Sequence, residues 1–435
     1  MTLAYEEFLA GKARRAAAPG PVIADADIHP MLHPWQGELV QWAARVGRAA
    51  IWADTGLGKT LMQVEWVRHV TGDGAGLIVA PLAVCHQTVR EAAKIGVTAK
   101  YVRTPDDIDG PGIYVTNYEM VPGFDPDEFR AVVLDEASIL KQSDGKTRTM
   151  LIEHFEHVPY RLACTATPAP NDPEELTNQA EFLGHMSRTH MLAAYFIHDD
   201  TGWRLKGHAR RPMMQWMATW AVALRKPSDM GHDDTGYNLP GLDVIPHLID
   251  VPIEADGQLF PTDLGGVGGR AKVRAETLED RCRRAAELVA AEPDEPWLLW
   301  CGLNAEAALL AKLIPGAVNV DGSWSPEDKA QALLDFADGK ITRLITKPSI
   351  AAMGLNWQHC ARMAFVGLSD SYEQYYQAIR RCYRYGQTRV VRAHVVLSEL
   401  EGQIAVNISR KEREANQITG ALVDEMRRIR EGIPA

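Results

Sequence analysis

The stretch that most constrains the fold is a glycine-containing loop between an apolar run and a helical pattern. Residues 53–60 have the sequence Ala-Asp-Thr-Gly-Leu-Gly-Lys-Thr, preceded by the apolar run 49–52 and followed by 61–67, whose apolar residues have helical spacing. Strand, loop and helix in this order are the context of a phosphate-binding loop, where backbone N–H groups and the positive helix end surround phosphate. The alternative is a chance Gly-Lys-Thr at a helix start.

The individual positions of this loop predict a nucleotide triphosphate and Mg²⁺ as cofactors. Lys59 would contact the β- and γ-phosphates, and the hydroxyl of Thr60 would bind Mg²⁺. Ala53 replaces the first glycine of the usual pattern, which is a mild change because the side chain is short. Three further residues of the loop, Thr55, Gly56 and Gly58, would contact the phosphates.

The composition is that of an ordinary globular protein. The 435 residues are 46% apolar and 24% charged, which allows two or three domains. No run of about 20 apolar residues predicts a membrane span, and the acidic N-terminus does not resemble a secretory signal. The six cysteines form no C-x-x-C pair, so we expect buried thiols and a cytoplasmic location.

Positive charge is concentrated in two stretches although the net charge is −11. Residues 203–226 contain six Lys or Arg and no acid, and residues 377–392 contain five Arg and no acid. Tryptophans are interleaved with basic residues in the first stretch, a pattern that suits nucleic-acid binding. The candidate contacts are Arg204, Lys206, Arg210 and Arg211. Trp216 and Trp220, four residues apart, favour core packing instead.

The alternation of short apolar runs with helical patterns predicts two parallel sheets wrapped by helices. Strands are predicted at 76–80, 99–102, 112–116, 131–134 and 160–165, and again at 297–301, 317–320, 344–346, 363–366 and 393–397. Residues 186–228 are predicted as helices, and 229–270 as a partly extended segment with a flexible loop at 265–269. The predicted α/β organisation is an N-terminal extension (1–24), a first sheet domain (25–185), a mainly helical insertion and linker (186–271), a second sheet domain (272–405) and a C-terminal helix (406–435).

A strand that ends in paired acids supplies the second half of the predicted chemistry. Residues 132–134 are apolar and lead into Asp135 and Glu136. Asp135 would bind Mg²⁺ directly or through water, and Glu136 would orient and deprotonate the attacking water. In a parallel sheet these acids, the phosphate loop and Thr165 would lie at the carboxyl ends of the strands. The alternative is that the two acids are ordinary surface residues, which are common after a strand.

The motifs of the first half resemble those of superfamily 2 helicases, most closely the Snf2 branch. Pro-Trp-Gln at 34–36 resembles the upstream glutamine motif, which implies that Gln36 recognises adenine. Residues 77–82 and 115–119 resemble motifs Ia and Ib, whose Pro81 and Thr116 would face a nucleic-acid backbone. Thr165-Ala-Thr-Pro resembles motif III, so Thr165 and Thr167 would couple hydrolysis to motion. Ser138 stands where DEAH-type members have His.

The motifs of the second half complete the resemblance. Residues 351–357 resemble motif V, with Gly354 and Asn356 at the nucleotide-binding positions, and 377–387 resemble motif VI. The resemblance implies that Arg381 and Arg384 are arginine fingers for the γ-phosphate and that Gln377 takes part in coupling. It implies two tandem RecA-like domains with a bound ATP and Mg²⁺.

The function implied by the resemblance is an ATP-dependent DNA translocase, with duplex DNA favoured over single strands and RNA less favoured. A strand-separating DNA or RNA helicase is the close alternative, because no wedge can be named from sequence. An assembly subunit with a vestigial ATPase is an alternative of another class, and the complete catalytic set argues against it. Replication, repair or restriction proteins are the expected partners, and the compact chain suggests a bacterial or bacteriophage source.

Overall fold

The computed structural model describes residues 20–141, 145–200, 202–250, 276–351, 356–369, 371–398 and 402–430. They form two compact units. The first comprises the chain up to Thr235 together with the residues from Arg413 onward, and the second is Gly236–Glu412. The predicted flexible loop at 265–269 and nearly all of the predicted N-terminal extension lie outside the described residues.

The first unit is built on a seven-stranded sheet with helices between its strands. The described strands of this unit, seven in the sheet and two (β7 and β8) in a separate hairpin, are β1 (Arg48–Ala53), β2 (Ala75–Ala80), β3 (Ala99–Tyr101), β4 (Gly112–Asn117), β5 (Phe129–Asp135), β6 (Tyr160–Cys164), β7 (Phe196–Asp199), β8 (Gly202–Leu205) and β9 (Ala221–Leu224). Its helices are α1 (Pro34–Val46), α2 (Lys59–Thr71), α3 (Leu82–Lys94), α4 (Lys146–His154), α5 (Leu176–Phe182), α6 (Arg188–Tyr195) and α7 (Arg210–Met217).

The sheet of the first unit is entirely parallel, with the strand order β3-β4-β2-β5-β6-β1-β9. Its central strands β2, β5, β6 and β1 are largely buried, as expected for a parallel sheet with helices on both faces. Ile51, Ile78 and Val133 are fully buried on three of these strands. The five strands predicted between residues 76 and 165 are confirmed, each with bounds that differ by at most two residues.

The stretch 186–228, predicted as helical, is partly strand. α6 and α7 are helices, but β7 and β8 form an antiparallel hairpin between them, and β9 pairs in parallel with β1. β9 is a run of four buried apolar residues. A run this short has no measurable periodicity, so the sequence does not distinguish a buried strand from a helical turn. This segment therefore contributes an edge strand to the first sheet.

The second unit has a six-stranded, fully parallel sheet with the order β10-β15-β14-β11-β13-β12. Its strands are β10 (Leu242–Ile249), β11 (Trp297–Cys301), β12 (Val318–Asn319), β13 (Arg343–Thr346), β14 (Arg362–Val366) and β15 (Val391–Ser398). Its helices are α8 (Leu278–Ala291), α9 (Asn304–Leu313), α10 (Pro326–Ala337), α11 (Pro348–Ala351) and α12 (Tyr372–Ile379). The strands predicted there are confirmed, and β10 adds one at the edge.

The last helix, α13 (Gly402–Arg430), corresponds to the helix predicted from residue 406. Its residues from Arg413 onward belong to the first unit, where Gln215 Nε2 of α7 donates to Glu425 Oε1 at 3.0 Å. Leu422 and Val423 of the same helix are buried.

The structure agrees with one inference from composition. All six cysteines are buried, as predicted. Among the described residues, no helix combines the length and the apolar character that crossing a bilayer requires.

Candidate active site

The order of the strands brings three predicted motifs to one edge of the first sheet. β5, β6 and β1 are neighbours, and Cys164 at the end of β6 is paired in register with both Asp135 and Ile51. Thr165, the next residue, donates its backbone N–H to Ile51 O at 3.3 Å. Since the strands are parallel, the phosphate loop, the paired acids and Thr165 all follow the carboxyl ends of adjacent strands, as the sequence predicted.

The phosphate loop is closed by the side chain of Gln36. Gln36 Nε2 donates to Leu57 O at 2.9 Å, and its Oε1 accepts the His33 backbone N–H at 2.8 Å. Gly58 adopts a left-handed conformation with φ 73° immediately before α2. A Cβ at Gly58 would lie 2.4 Å from Gln36 Nε2 and would displace this amide. A glycine at position 58 therefore allows Gln36 to reach Leu57 O.

The lysine of the loop lies against the backbone at the end of β1. Lys59 Nζ donates to Ala53 O at 2.7 Å and to Asp54 O at 3.3 Å. The Thr55 N–H donates to Asp54 Oδ1 at 2.6 Å, and Gly56 has φ 86°, a left-handed conformation that glycine adopts without strain. These contacts hold the loop in a compact turn at the start of α2.

Asp135 is a buried carboxylate with defined partners. Gln63 Nε2 donates to Asp135 Oδ1 at 2.7 Å, and the Tyr118 hydroxyl donates to Asp135 O at 2.5 Å. Burial, followed by the charge of Glu136, raises the pKa of Asp135 to about 6, while Gln63 and Lys59 oppose the rise. Burial destabilises the ionised form of Asp135, and a nearby cation would stabilise that form again.

Glu136 is held by two hydroxyl groups in an unusual backbone conformation. It is the one non-glycine residue with a positive φ (60°) in the described part of the chain. Thr165 Oγ1 donates to Glu136 Oε1 at 2.7 Å, and Ser138 Oγ donates to the same oxygen at 3.1 Å. Strained backbone of this kind persists where the surroundings determine it, often at functional sites. Motif III therefore contacts the predicted general base directly, and Ser138 supplies a second contact.

Two residues of this site were missed by the sequence analysis, Gln63 and Tyr118. Both are buried. A signal for Gln63 exists, since it is a polar residue inside a helix whose other nearby positions are largely apolar. Tyr118 has no comparable local signal, because its contact with Asp135 depends on the pairing of distant strands.

The chemistry of these groups fits ATP and Mg²⁺. No side chain caps the start of α2 among the described residues, and Lys59 is the first residue of this helix, so backbone N–H donors and an ammonium group occur together there, a combination that suits phosphate. Thr60 and Asp135 supply hard oxygen ligands, which suit Mg²⁺ that is otherwise bound by phosphates and water. No cluster of three acidic, histidine or cysteine ligands occurs in the described residues, and a magnesium site of this kind does not require one.

The residues predicted from motifs V and VI belong to the second unit. Arg381 is buried and donates through Nε to Gln377 O and through Nη2 to Gln377 Oε1, each at 3.1 Å. The pKa of Arg384 is lowered to about 10 by burial and by the charge of Arg380. Asn356 is exposed, and Gly354 lies outside the described residues. The structure thus shows that Gln377 positions Arg381.

The residues of motifs Ia and Ib that were predicted to face a nucleic-acid backbone differ in their exposure to solvent. Pro81 is partly exposed at the start of α3. Thr116 is fully buried, and its hydroxyl donates to Val102 O at 2.8 Å. The prediction that Thr116 faces nucleic acid is corrected here: because it lies inside a strand with neighbours on both sides, its hydroxyl stabilises the sheet.

The basic residues predicted for nucleic acid have local contacts in the first unit. Arg204 pairs with Asp199 at 3.2 Å across the β7–β8 hairpin, and Lys206 Nζ donates to Ala193 O at 2.9 Å. Arg210 Nη2 lies 3.4 Å from Gln417 O. All but Lys206 are exposed, including Arg211. Trp220 is buried, and Trp216 packs edge-on against it at 5.3 Å, which supports core packing for this pair.

Comparison with known proteins gives two matching family models. The SNF2-related domain matches residues 35–193, and the helicase conserved C-terminal domain matches residues 284–386. No curated protein matches the chain. Among solved structures, a Sulfolobus solfataricus SWI2/SNF2 ATPase core in complex with dsDNA is 17% identical, with a TM-score of 0.46 over 94% of this chain and 98% of the other. The two family models cover more than half of the chain in the expected order, and the protein belongs to the Snf2-like branch of superfamily 2, a class of nucleic-acid-dependent ATPases.

Proposed function

We propose that this protein hydrolyses ATP at the edge formed by β1, β5 and β6 and uses the energy to move along DNA. The observation that supports hydrolysis most directly is the geometry of Glu136, whose carboxylate accepts hydrogen bonds from Thr165 and Ser138 beside the buried Asp135. A general base requires a fixed carboxylate whose remaining lone pairs are available to water. A chain that only bound nucleotide would not require this arrangement.

Each residue of the first unit has a distinct proposed role. Gln36 contacts the adenine while it supports the loop, and Lys59 leaves its backbone acceptors to neutralise phosphate charge. Thr60 and Asp135 would hold Mg²⁺, which supplies charge neutralisation at the phosphates. Glu136 orients a water molecule and accepts its proton. Thr55, Gly56 and Gly58 keep the loop backbone close to the phosphates.

The arginines of motif VI complete the proposal. We assign Arg381 and Arg384 to stabilising the charge that develops on the transferred phosphoryl group. Gln377 fixes the guanidinium of Arg381 through two contacts, which supports such a role because a preorganised cation loses little entropy on binding. Gly354 and Asn356 are proposed nucleotide contacts on the grounds of motif V alone.

DNA is the proposed track because the motif details resemble Snf2 proteins rather than RNA helicases, and duplex DNA is favoured over single strands. Pro81 and the exposed Arg204, Arg210 and Arg211 are the proposed backbone contacts. Substitution Arg211→Ala would then weaken binding uniformly across sequences and lower the slope of log affinity against log salt by about one. An unchanged slope would remove Arg211 from the interface.

The decisive experiment measures ATP hydrolysis with duplex DNA, single-stranded DNA and RNA. We expect stimulation by DNA and losses of at least about 100-fold in Lys59→Ala and Glu136→Gln, since each removes a group that acts on the transferred phosphoryl or its nucleophile. The exposed pair Lys94 and Glu91 offers matched controls, Lys94→Ala and Glu91→Gln. Wild type no faster than Lys59→Ala would make the vestigial-subunit alternative correct.

The mode of movement needs a second assay. Translocation on a duplex predicts ATP-dependent displacement of the third strand from a triplex, whereas strand separation predicts unwinding of a forked duplex. Unwinding without displacement of the third strand would exclude the duplex translocase in favour of a strand-separating helicase.

A further inference from the structure

Two arginines lie near the starts of adjacent strands, at the edge of the first sheet opposite the nucleotide loop. Arg48 is the first residue of β1 and is paired in register with Arg161 of β6. Because the strands are parallel, both lie at the amino edge. Ala53 is five positions after Arg48 along β1, so this edge lies roughly 17 Å from the start of the nucleotide loop. It is not part of the site described above.

The two guanidinium groups converge beside a glycine. Gly184 follows α5 with φ 74°, and the N–H of His185 donates to Ala180 O at 2.9 Å, the arrangement of a helix that ends at a left-handed glycine. A Cβ at Gly184 would lie 2.7 Å from Arg161 Nη2 and 2.8 Å from Arg48 Nη1. The two nitrogens are therefore within about 5.5 Å of each other, and Gly184 itself is exposed to solvent.

Neutral acceptors bind only some of the N–H donors of Arg48 and Arg161. Arg161 Nη1 donates to Phe182 O and Arg48 Nε donates to Pro159 O at 3.1 Å. Arg161 Nε is buried and has no hydrogen-bond partner, and neither arginine forms an ion pair in the described part of the chain. A guanidinium has five N–H donors, so donors remain on the side that faces Gly184.

The surrounding charges make the pair costly without an anion. Burial and then the charge of Arg48 lower the pKa of Arg161 to about 9, with Glu156 acting in the opposite direction. His185, whose Nε2 lies 2.8 Å from Arg48 O, has its pKa lowered to about 4 by burial, and both arginines lower it further. His185 is therefore neutral near pH 7, and the two guanidinium groups, which lie close together, are stabilised by a bound anion.

We propose that Arg48 and Arg161 form a second anion site, specific for a phosphate group, which enters from solvent at Gly184. A guanidinium group is planar and can donate two parallel hydrogen bonds to two oxygens of a phosphate. Two such groups would bind one phosphate from two sides. The absence of a side chain at Gly184 lets both guanidinium groups lie next to its backbone. The phosphate comes either from free inorganic phosphate or from a nucleic-acid backbone.

The test uses the full-length chain with Lys59→Ala, which disables the nucleotide loop, so that failure of the proposed ATPase does not affect the result. Inorganic phosphate is titrated by calorimetry at constant ionic strength, with chloride as the replaced ion. We expect saturable binding at one site and a loss of at least tenfold in affinity in Lys59→Ala/Arg48→Met. The matched control is Arg45→Met, since Arg45 is an exposed arginine three residues away.

Two results would overturn the proposal. One is phosphate binding of equal affinity after Arg48→Met, and the other is a response to phosphate no greater than the response to chloride. Phosphate binding is also measured for Arg161→Met. If that variant fails to fold, the result for Arg48→Met is the deciding one, because this substitution changes a partly exposed side chain. Competition by a short DNA duplex would assign the phosphate to a nucleic-acid backbone, and its absence would assign it to free phosphate.

Discussion

The contact between Thr165 and Glu136 gives the sharpest quantitative prediction. Thr165→Val removes a 2.7 Å hydrogen bond to a carboxylate without changing the volume of the side chain. A hydrogen bond to a charged group contributes about 1.5–3 kcal/mol. Since about 1.4 kcal/mol corresponds to a tenfold change in rate, the expected loss in turnover is roughly 10- to 150-fold. Glu136 retains its contact with Ser138 at 3.1 Å, which places the expectation in the lower half of that range.

The assay is DNA-stimulated ATP turnover, with kcat and KM measured separately. KM for ATP should change little, because Glu136 acts on water and not on the nucleotide. Thr165→Ser keeps the hydroxyl and should restore activity to within about threefold of wild type. Thr88→Val, another buried threonine, whose hydroxyl bonds to Val84 O, controls for the general effect of the substitution.

A double-mutant cycle tests whether Thr165 affects ATP turnover through Glu136. If Thr165 acts through Glu136, then Thr165→Val should have little further effect in a Glu136→Gln background. Wild-type turnover in Thr165→Val would contradict a role for this hydrogen bond. So would a loss on adding Thr165→Val to Glu136→Gln that equals the loss on adding it to wild type. Thr165 Oγ1 also accepts the Thr167 N–H at 3.0 Å, so thermal unfolding must be recorded, and turnover compared where all variants are folded.

Three further predictions concern packing and charge. Gly58→Ala should raise KM for ATP about tenfold, because its Cβ would displace Gln36 from a distance of 2.4 Å; an unchanged KM in steady-state kinetics would contradict this. Burial raises the pKa of Glu65, but hydrogen bonds from neighbouring basic side chains and a backbone N–H lower it to about 2. Its stabilising contribution should be complete above about pH 4.5 and disappear toward pH 2, so the difference in melting temperature between wild type and Glu65→Gln should shrink in that window, and a constant difference would exclude the effect. Glu306→Gln, which removes the negative charge 2.7 Å from the buried Arg281, should lower the free energy of unfolding in urea by about 3–5 kcal/mol, and a loss below 1 kcal/mol would show that other groups compensate the charge of Arg281.

The sequence determined the features that depend on local order along the chain. The loop from Ala53 to Thr60 lies between a strand and a helix, and the acids at 135 and 136 end a strand, so neighbouring residues alone specified both elements. Alternating apolar runs and helices then required parallel sheets, which placed the two motifs at the same edge. The SNF2-related and helicase C-terminal matches agree with that order.

The tertiary structure alone decided which distant side chains meet. Gln63 bonds to Asp135 across 72 residues, and Thr165 reaches Glu136 because β6 lies between β5 and β1. The same pairing of β1 with β6 brings Arg48 to Arg161, which no local pattern in the sequence indicates. The physical reason is that strand order is set by the packing of the whole sheet, whereas propensity and periodicity act over a few residues.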